Sequence, residues 1–291
     1  MLDYHAPASV EECLDLLERH PTAVLLAGGT DLVPRARQEA AWPETLVALR
    51  GIQGMAEIEE REGELAIGAV TRLSDVASHP AVHGSALALA YAAGLIGSTQ
   101  IRSAATIGGN LCNAAPSADT APPLLSLDAR FVLVSKDGKR TIPANEFFVG
   151  PGKTALRAGE LLWEIRIPRV AGRTGSSYIR HTPRERMDLA VASAAAWVAV
   201  DESGTVTAAR IALGAVAPTP VLAEEAAAHM VGRRPTSEDA GAAAKLAVQI
   251  SRPIDDVRAS ADYRRHLLRV LVPQAISEAY QRTQDKQGGP Q

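Results

Sequence analysis

Hydrophobic and polar positions alternate along the chain in short stretches of two different periods. Ser9 and Glu12 form a capping-box pattern, and the apolar positions of residues 10–17 recur at helical spacing, which predicts an amino-terminal helix. The uninterrupted apolar run 24–26 predicts a buried strand that ends at the glycine pair 28–29. The chain is therefore expected to begin with a helix and with a strand that leads directly into a glycine-rich loop.

The middle of the chain combines further helices with a hairpin. Thr71 is expected to cap a short helix, and the small residues of segment 85–97 predict a helix that packs closely on a neighbour. Two strand-like runs, 131–134 and 141–142, flank the pair Asp137–Gly138, which is typical of a tight hairpin turn. A second, sheet-bearing lobe is predicted here.

The carboxyl-terminal part has its own pattern. Apolar strand-like runs at 190–200 and 206–213 follow a small, polar stretch, and helical periodicity begins at Ala223. The whole chain is therefore predicted to have an α+β fold. We expect a first domain of residues 1–174 with lobes 1–80 and 81–174, a second domain of residues 175–282, and a mobile polar tail at residues 283–291.

Composition and charge restrict the classes of function. With 291 residues, 46% of them hydrophobic, the chain is long enough for two domains with a sizeable core. Its 30 basic and 33 acidic residues give a net charge of −3, which argues against a nucleic-acid partner and favours a small molecule or a protein. No apolar span reaches membrane length and no signal-peptide pattern is found, so the cytoplasm is the expected compartment.

The two cysteines exclude several kinds of metal centre. Cys13 and Cys112 are too few for a four-thiolate iron–sulfur cluster or a disulfide framework, so any such cluster must lie on another chain. Cys13 falls on the apolar face of the first predicted helix and is interpreted as a core residue. No reactive role is expected for Cys112, because no activating partner is near it in the sequence.

Two glycine pairs carry the most specific chemistry in the sequence. Segments 26–31 (LAGGTD) and 105–110 (ATIGGN) each place adjacent glycines beside hydroxyl or amide side chains. Glycine permits turns at positive φ and lets N–H groups approach a ligand, and successive N–H groups form a nest suited to a pyrophosphate. Neither segment is a Rossmann fingerprint or a Walker loop, and either pair alone also suits an ordinary turn. Together, the two loops suit a dinucleotide.

Longer motifs around these loops are specific to one family. Four segments occur in the expected order: residues 100–111 (QIRSAATIGGNL), 116–125 (PSADTAPPLL), 159–168 (GELLWEIRIP) and 258–265 (RASADYRR). They closely resemble the FAD-binding medium subunit of molybdenum hydroxylases, the family of carbon monoxide dehydrogenase and xanthine dehydrogenase flavoproteins. The resemblance covers nearly the whole chain.

This resemblance implies a two-lobed FAD-binding domain of the p-cresol methylhydroxylase type, followed by a smaller α+β domain. It implies one non-covalent FAD per chain and a role as the electron-transfer subunit of a molybdenum hydroxylase. The molybdenum cofactor and 2Fe–2S clusters are then expected on a large and a small partner subunit, in a dimer of heterotrimers. Electrons would pass through FAD to an external acceptor, and no catalytic side chain is named because the flavin carries the redox chemistry.

The resemblance also implies a set of cofactor-binding residues. Those of the first loop are Leu26, Ala27, Gly28, Gly29, Thr30, Asp31 and Leu32, with N–H groups and the threonine hydroxyl facing phosphate oxygens. Those of the second loop are Thr106, Gly108, Gly109 and Asn110, which would again offer a hydroxyl, N–H groups and an amide. Outside the loops they are Asp119 near the ribityl chain or adenosine, Leu161 or Leu162 at the dimethylbenzene edge, and Arg180 near the isoalloxazine.

Simpler structural interpretations stand beside several of these roles. Asp31 would be awkward beside a phosphate because like charges repel, and it could instead cap the next turn. Asn110 and Asp119 could be ordinary polar loop residues, the two leucines could belong to a β-core, and the arginine could lie at the surface. Ile96 stands where the family has an aromatic side chain against the cofactor, which predicts altered packing on the flavin face.

Two other classes of function are weighed against the electron relay. The first is a non-enzymatic module whose degenerate loops hold a nucleotide or nothing, and the intact glycines count against it. The second is a self-sufficient flavin oxidoreductase. The lack of an evident acid/base set and of a recognisable covalent-flavin motif counts against this second alternative.

Overall fold

A computed structural model describes residues 2–184 and 187–285 of the chain. Its strands are β1 (Asp3–His5), β2 (Val24–Leu26), β3 (Thr45–Ala48), β4 (Ile58–Arg61), β5 (Glu64–Gly68), β6 (Arg130–Ser135), β7 (Gly138–Pro143), β8 (Phe148–Gly150), β9 (Lys153–Thr154), β10 (Leu161–Pro168), β11 (Arg173–His181), β12 (Ala192–Val200), β13 (Val206–Gly214) and β14 (Val221–Leu222). Its helices are α1 (Val10–Arg19), α2 (Leu32–Gln38), α3 (Leu73–Ser78), α4 (Pro80–Ser85), α5 (Leu87–Leu95), α6 (Thr99–Arg102), α7 (Ile107–Asn113), α8 (Ala121–Ser126), α9 (Ala144–Phe147), α10 (Glu224–Met230), α11 (Ser237–Ile250) and α12 (Ala261–Asp285). The predicted α+β fold is confirmed.

A three-stranded parallel sheet carries the first glycine loop. Its order is β1–β3–β2, and Leu25 of β2 lies opposite Val47 of β3. The strand predicted at 24–26 is confirmed as β2, but it is half-buried rather than buried because it borders an open cleft. β2 ends at Leu26 and α2 begins at Leu32, so the glycine loop connects a parallel strand to a helix.

A five-stranded antiparallel sheet of order β4–β5–β10–β6–β7 forms the second lobe. The predicted hairpin is confirmed as β6 and β7, but Ser135 pairs with Gly138, so the turn residues are Lys136 and Asp137. β4 and β5 precede residue 80, yet they pair in this sheet. The expected lobe boundary at residue 80 therefore does not separate the two sheets, because β10 recruits strands that are distant in sequence.

A four-stranded antiparallel sheet, β11–β12–β13–β14, begins the carboxyl-terminal part. The preceding sheet ends at Pro168, and β11 begins at Arg173. α12 continues to Asp285, and Thr283 within it is fully buried, so the beginning of the expected tail is helical. Residues 286–291, the rest of that tail, lie outside the described residues.

The carboxyl-terminal sheet packs on both of its faces. Because successive strand residues point to opposite faces, β12 buries Ala195 and Trp197 against the core of the first part. The alternate residues, Ala194 and Ala196, pack in a second core with α10, α11 and α12. One face of this sheet is therefore the contact surface between the two parts of the chain.

Two predictions about helix starts, and one about a core cysteine, have different outcomes. The Ser9 cap is confirmed, since its hydroxyl accepts a hydrogen bond from the Glu12 N–H at 3.1 Å. Cys13 is fully buried as expected, and burial raises the pKa of its thiol to about 11. The Thr71 cap is wrong: α3 follows Arg72, and the buried Thr71 hydroxyl has no hydrogen-bond partner among the described residues.

Within residues 2–184 and 187–285, no helix is both long enough and apolar enough to cross a membrane.

Candidate cofactor site

The first glycine loop presents unused hydrogen-bond donors. The N–H groups of residues 28–31 find no protein acceptor in the described part of the chain. Gly29 has a φ of +72°, in the left-handed region that favours glycine, and residues 28–31 all line the cleft. Such a row of N–H groups forms a nest that suits an anion.

The second glycine loop uses its N–H groups inside the protein. Those of residues 107 and 108 donate to carbonyl oxygens of the β5–α3 connection, at 3.0 and 2.8 Å. The Thr106 hydroxyl caps α7 by accepting from the Gly109 N–H at 3.0 Å, and the Asn110 N–H donates to the Thr106 carbonyl. The oxygen Oδ1 of Asn110 accepts from the Thr120 hydroxyl at 2.6 Å, which leaves the amide nitrogen for a ligand. The N–H groups of residues 107–110 are therefore used within the protein, and the loop offers a ligand the Thr106 hydroxyl and the Asn110 amide.

Glycine is required where the loops meet other backbone segments. A methyl group at Gly28 would lie 2.2 Å from the carbonyl oxygen of Ala104, just before the second loop. One at Gly108 would lie 2.5 Å from the carbonyl oxygen of Ala69. The two glycines thus allow the loops to approach each other and the β5–α3 connection.

The two loops lie against each other and line an open cleft of about 800 Å³, a size typical of cofactor sites. Most of the expected cofactor-binding residues line it: Leu26, Ala27, Gly28, Gly29, Thr30, Asp31, Leu32, Thr106, Gly108, Gly109, Asn110, Asp119 and Leu162. The two expected residues that do not are Leu161 and Arg180. Leu161 is fully buried and points to the other side of β10, because neighbouring strand residues alternate.

Asp119 lines the cleft and connects it to a buried polar cluster with Tyr178 and Arg180. Its Oδ1 accepts from the Tyr178 hydroxyl and its Oδ2 from the Arg180 guanidinium, both at 2.5 Å. Burial raises the pKa of Asp119, opposed by the charge of Arg180 and by these hydrogen bonds. Burial and the neighbouring carboxylate raise the pKa of Tyr178 well above its usual value. Arg180 is 5% exposed, so the alternative of a surface position is wrong.

Asp31 makes no side-chain cap. It is the residue before α2, but its carboxylate forms no cap hydrogen bond, and it is exposed at the cleft. The cap interpretation is therefore wrong.

Several cleft residues were missed by sequence reasoning. Arg35 of α2 lines the cleft one turn after the first loop and forms no ion pair with a described residue. A basic residue four positions after Asp31 was a usable signal, because phosphates favour guanidinium groups. The carboxyl-terminal domain adds Arg184, Asp188 and Arg258 to the rim. Sequence spacing holds no signal for Arg184 and Asp188, and the family motif at residues 258–265 includes Arg258 without indicating that it lies at the cleft.

The apolar part of the cleft is aliphatic. Ile96 lines it at the end of α5, and no aromatic side chain among the described residues does so. Cys112 is accessible through the open cleft, yet the surrounding protein atoms raise the pKa of its thiol to about 12, which keeps it uncharged. The thiol is thus unsuited to a nucleophilic role, as expected.

The cleft fits FAD on three observations. It offers a nest of unpaired N–H groups with a nearby guanidinium for phosphates, hydroxyl and amide groups for a polar chain, and an aliphatic portion for a ring system. Its walls come from residues distant in sequence, which is typical of a site enclosing an extended ligand. The donor set is therefore suited to the cofactor that the sequence motifs imply.

Comparisons with known proteins agree with one another. Residues 1–170 match the family described as "FAD binding domain in molybdopterin dehydrogenase", and residues 177–279 match the "CO dehydrogenase flavoprotein C-terminal domain". The chain is 38% identical over 282 residues to the carbon monoxide dehydrogenase medium chain of Hydrogenophaga pseudoflava, covering 96% of this chain and 97% of that protein. It is 33% identical over 278 residues to a putative xanthine dehydrogenase FAD-binding subunit of Escherichia coli strain K12, covering 95% of each.

The fold is similar to that of a solved structure. A chain of carbon monoxide dehydrogenase from Hydrogenophaga pseudoflava, in a form that lacks the Mo-pyranopterin moiety, superimposes with a TM-score of 0.92 at 38% identity. The match covers 97% of this chain and 98% of that chain, so it includes the glycine loops and the carboxyl-terminal domain.

Proposed function

This chain belongs to the family of FAD-binding medium subunits of molybdenum hydroxylases, and we propose that it holds its FAD in the cleft between the two glycine loops. FAD is its cofactor, and electron transfer within a multi-subunit molybdenum hydroxylase is its activity. The observation that carries the proposed location is the row of unpaired N–H groups at residues 28–31, which faces an 800 Å³ cleft.

We propose the following distribution of contacts. The nest of residues 28–31 and the Arg35 guanidinium hold the pyrophosphate, because both are donors that favour anions. The Thr106 hydroxyl and the Asn110 amide donate from the second loop, and Asp119 accepts from cofactor hydroxyls. Apolar contacts to the cofactor come from Leu26, Ala27, Leu32 and Leu162. Because Gly108 and Gly109 have no side chains, the backbone of the second loop can lie close to its neighbours.

Bound FAD supplies the redox chemistry, because it exchanges electrons one or two at a time. The side chains of this chain bind and orient it, and the aliphatic wall with Ile96 excludes water from its ring system. The chain relays electrons from the iron–sulfur clusters of a partner to an external acceptor. Nothing in the structure or the comparisons favours a self-sufficient oxidoreductase or a non-enzymatic nucleotide-binding module.

The relatives are medium chains of complexes, so this chain has large and small partner subunits. We propose that the large one carries the molybdenum cofactor, that the small one carries 2Fe–2S clusters, and that they assemble as a dimer of heterotrimers in the cytoplasm. The two cysteines of this chain support separate cluster-bearing subunits. We also retain the domain division near residue 174, supported by the change of sheet between β10 and β11.

The proposal predicts one non-covalent FAD per chain in the native complex. We expect visible flavin absorbance, and we expect acid precipitation to release the flavin into the supernatant. Chromatography of that supernatant against FAD and FMN standards identifies the cofactor. A complex without flavin would contradict the proposal, and flavin that stays with the precipitate would contradict non-covalent binding.

A further inference from the structure

Arg180 joins the carboxyl-terminal domain to the wall of the cleft without lining it. It lies on β11 two residues after Tyr178, so both side chains leave the same face of the strand. Both reach Asp119, one on each carboxylate oxygen, at 2.5 Å. The side chains of Arg180 and Asp119 are only 5% and 6% exposed, so this is a buried ion pair between two parts of the chain.

The same guanidinium has a second acceptor on another segment of the wall. Its Nη2 donates to the carbonyl oxygen of Leu95 at 2.8 Å, at the last residue of α5. The next three residues, 96–98, line the cleft. Arg180 therefore contacts two wall segments that are separated in sequence, the end of α5 and the segment that holds Asp119.

A second arginine completes the support of this turn. Nη1 of Arg102 donates to the carbonyl oxygens of Ile96 and Gly97, both at 3.1 Å. Three successive carbonyl groups, at residues 95–97, are thus held by two guanidinium groups from behind. Gly97 has a φ of +52°, so the turn has a specific backbone conformation that these donors can fix.

We infer that Arg180 is a positioning residue, which sets the FAD affinity by fixing Asp119 and the 96–98 turn against the cofactor although it does not line the cleft. This inference rests on the proposed location of FAD. A planar guanidinium is needed, because one group must donate to a carboxylate and to a carbonyl in different directions. A lysine ammonium is a point charge that can keep the ion pair but matches this fork poorly.

If Arg180 only stabilised the fold, its replacement would lower FAD affinity no more than replacement of another arginine that stabilises the fold. A matched control variant distinguishes this structural role from the positioning role. Arg61 of β4 also forms an ion pair with a buried carboxylate, that of Glu164 at 3.1 Å, but neither residue lines the cleft, and the hydrogen bonds of Arg61 go to glutamate side chains. The variants are Arg180→Met, Arg180→Lys and Arg61→Met, each as the full chain freed of flavin. Titration with FAD gives the dissociation constant, and the unfolding temperature without FAD gives the stability.

For Arg180→Met we expect a dissociation constant raised at least about tenfold, the scale of losing a buried charge-assisted hydrogen bond. Arg180→Lys is expected to fall between it and the wild type. Arg61→Met should lower the unfolding temperature and leave the dissociation constant within about twofold, well below the change expected for Arg180→Met. If both methionine variants lose affinity in proportion to their stability, or if Arg180→Met binds as the wild type does, the inference is overturned.

The double variant Asp119→Asn/Arg180→Met tests whether the arginine merely neutralises the carboxylate. Positioning through Leu95 predicts that the double variant binds FAD more weakly than the Asp119→Asn single variant does. Equal affinity of these two variants would overturn the positioning role. A wild-type chain that binds no FAD would instead contradict the proposed function, before any variant is compared.

Discussion

Gly28 shows how a single residue can control the site through space rather than through a contact with ligand. The position where its Cβ would lie is occupied by backbone, since the Ala104 carbonyl oxygen is 2.2 Å away. A backbone carbonyl cannot rotate away as a flexible side chain can. The glycine is therefore a condition for the close approach of the two loops, in addition to its conformational freedom.

We predict that Gly28→Ala separates the loops and weakens FAD binding. Overpacking of this kind costs about 1–3 kcal/mol, so we expect the FAD dissociation constant to rise by about 5- to 150-fold. Fluorescence titration of the flavin-free chain measures it.

Gly241 provides the control for this substitution. It lies inside α11, and nothing stands within 4 Å of its Cβ position. Gly241→Ala should raise stability by about 0.5–1 kcal/mol, because alanine favours the helix, and should not affect FAD affinity. Unchanged affinity in Gly28→Ala would contradict the proposed meeting of the loops at the cofactor.

At the scale of elements, the edge strand β7 is fastened to the start of β10 by an ion pair. Arg140 donates from Nε and Nη2 to the two carboxylate oxygens of Glu160, each at 2.7 Å, and also to the carbonyl of Ala155. The hydrogen bond from Arg140 lowers the pKa of Glu160 below its ordinary value of 4.5, and the Arg157 N–H contributes in the same direction. The carboxylate is thus more stable in the folded chain than in the unfolded one.

This pair predicts a specific acid sensitivity. Because the folded pKa is depressed, its stabilisation is present above pH 4.5 and is lost as the pH falls through the lower, folded value. The unfolding temperature of Glu160→Gln should therefore lie closer to that of the wild type in acid than at pH 7. Calorimetry across this range provides the measurement. Glu62→Gln is the control, because Glu62 is exposed and forms no ion pair with a described residue; its unfolding temperature should follow that of the wild type at every pH. If the unfolding temperature of Glu160→Gln also followed that of the wild type at every pH, the prediction would be refuted.

The sequence predicted those elements that depend on neighbouring residues. The Ser9 cap, the β6–β7 hairpin and the strand before the first glycine loop each follow from a few adjacent positions. The role of Thr71 was mispredicted because a hydroxyl before a helix resembles a cap, whereas the chain enters α3 one residue later. The pairing of β5 with β10 joins segments about a hundred residues apart, which no local pattern specifies.

At the scale of the whole molecule, the sequence likewise indicated local features of the site but not its long-range contacts. Glycine loops and family motifs indicated the residues on the walls, but the partner of Arg180 had to be seen in three dimensions. Asp119 lies 61 residues before it, and only the docking of the carboxyl-terminal sheet brings the two together. The rim residues Arg184 and Arg258 reach the cleft by the same docking.

Substrate oxidation is expected to require the partner subunits of this chain. We predict that the purified chain, loaded with FAD, does not oxidise the substrate that the native complex oxidises, because the molybdenum and iron–sulfur centres that take electrons from the substrate are proposed to lie on its partners. Adding the large and small subunits should restore the activity. Steady-state oxidation assays with and without the partners measure this difference.

Reduction by dithionite provides the control, since it should bleach the flavin equally in the isolated chain and in the complex. A chain that alone oxidised the substrate at the rate of the complex would be a self-sufficient oxidoreductase.

The wall of the cleft extends in the sequence from Val24 to Arg258, in a chain of 291 residues. During protein synthesis the two glycine loops leave the ribosome long before β11 and the segment that carries Arg258. A nascent chain therefore displays its phosphate nest while the opposite side of the site has not yet been translated. The site is therefore complete only after the carboxyl-terminal domain has docked, so tight FAD binding is expected of the docked chain and not of its amino-terminal part alone.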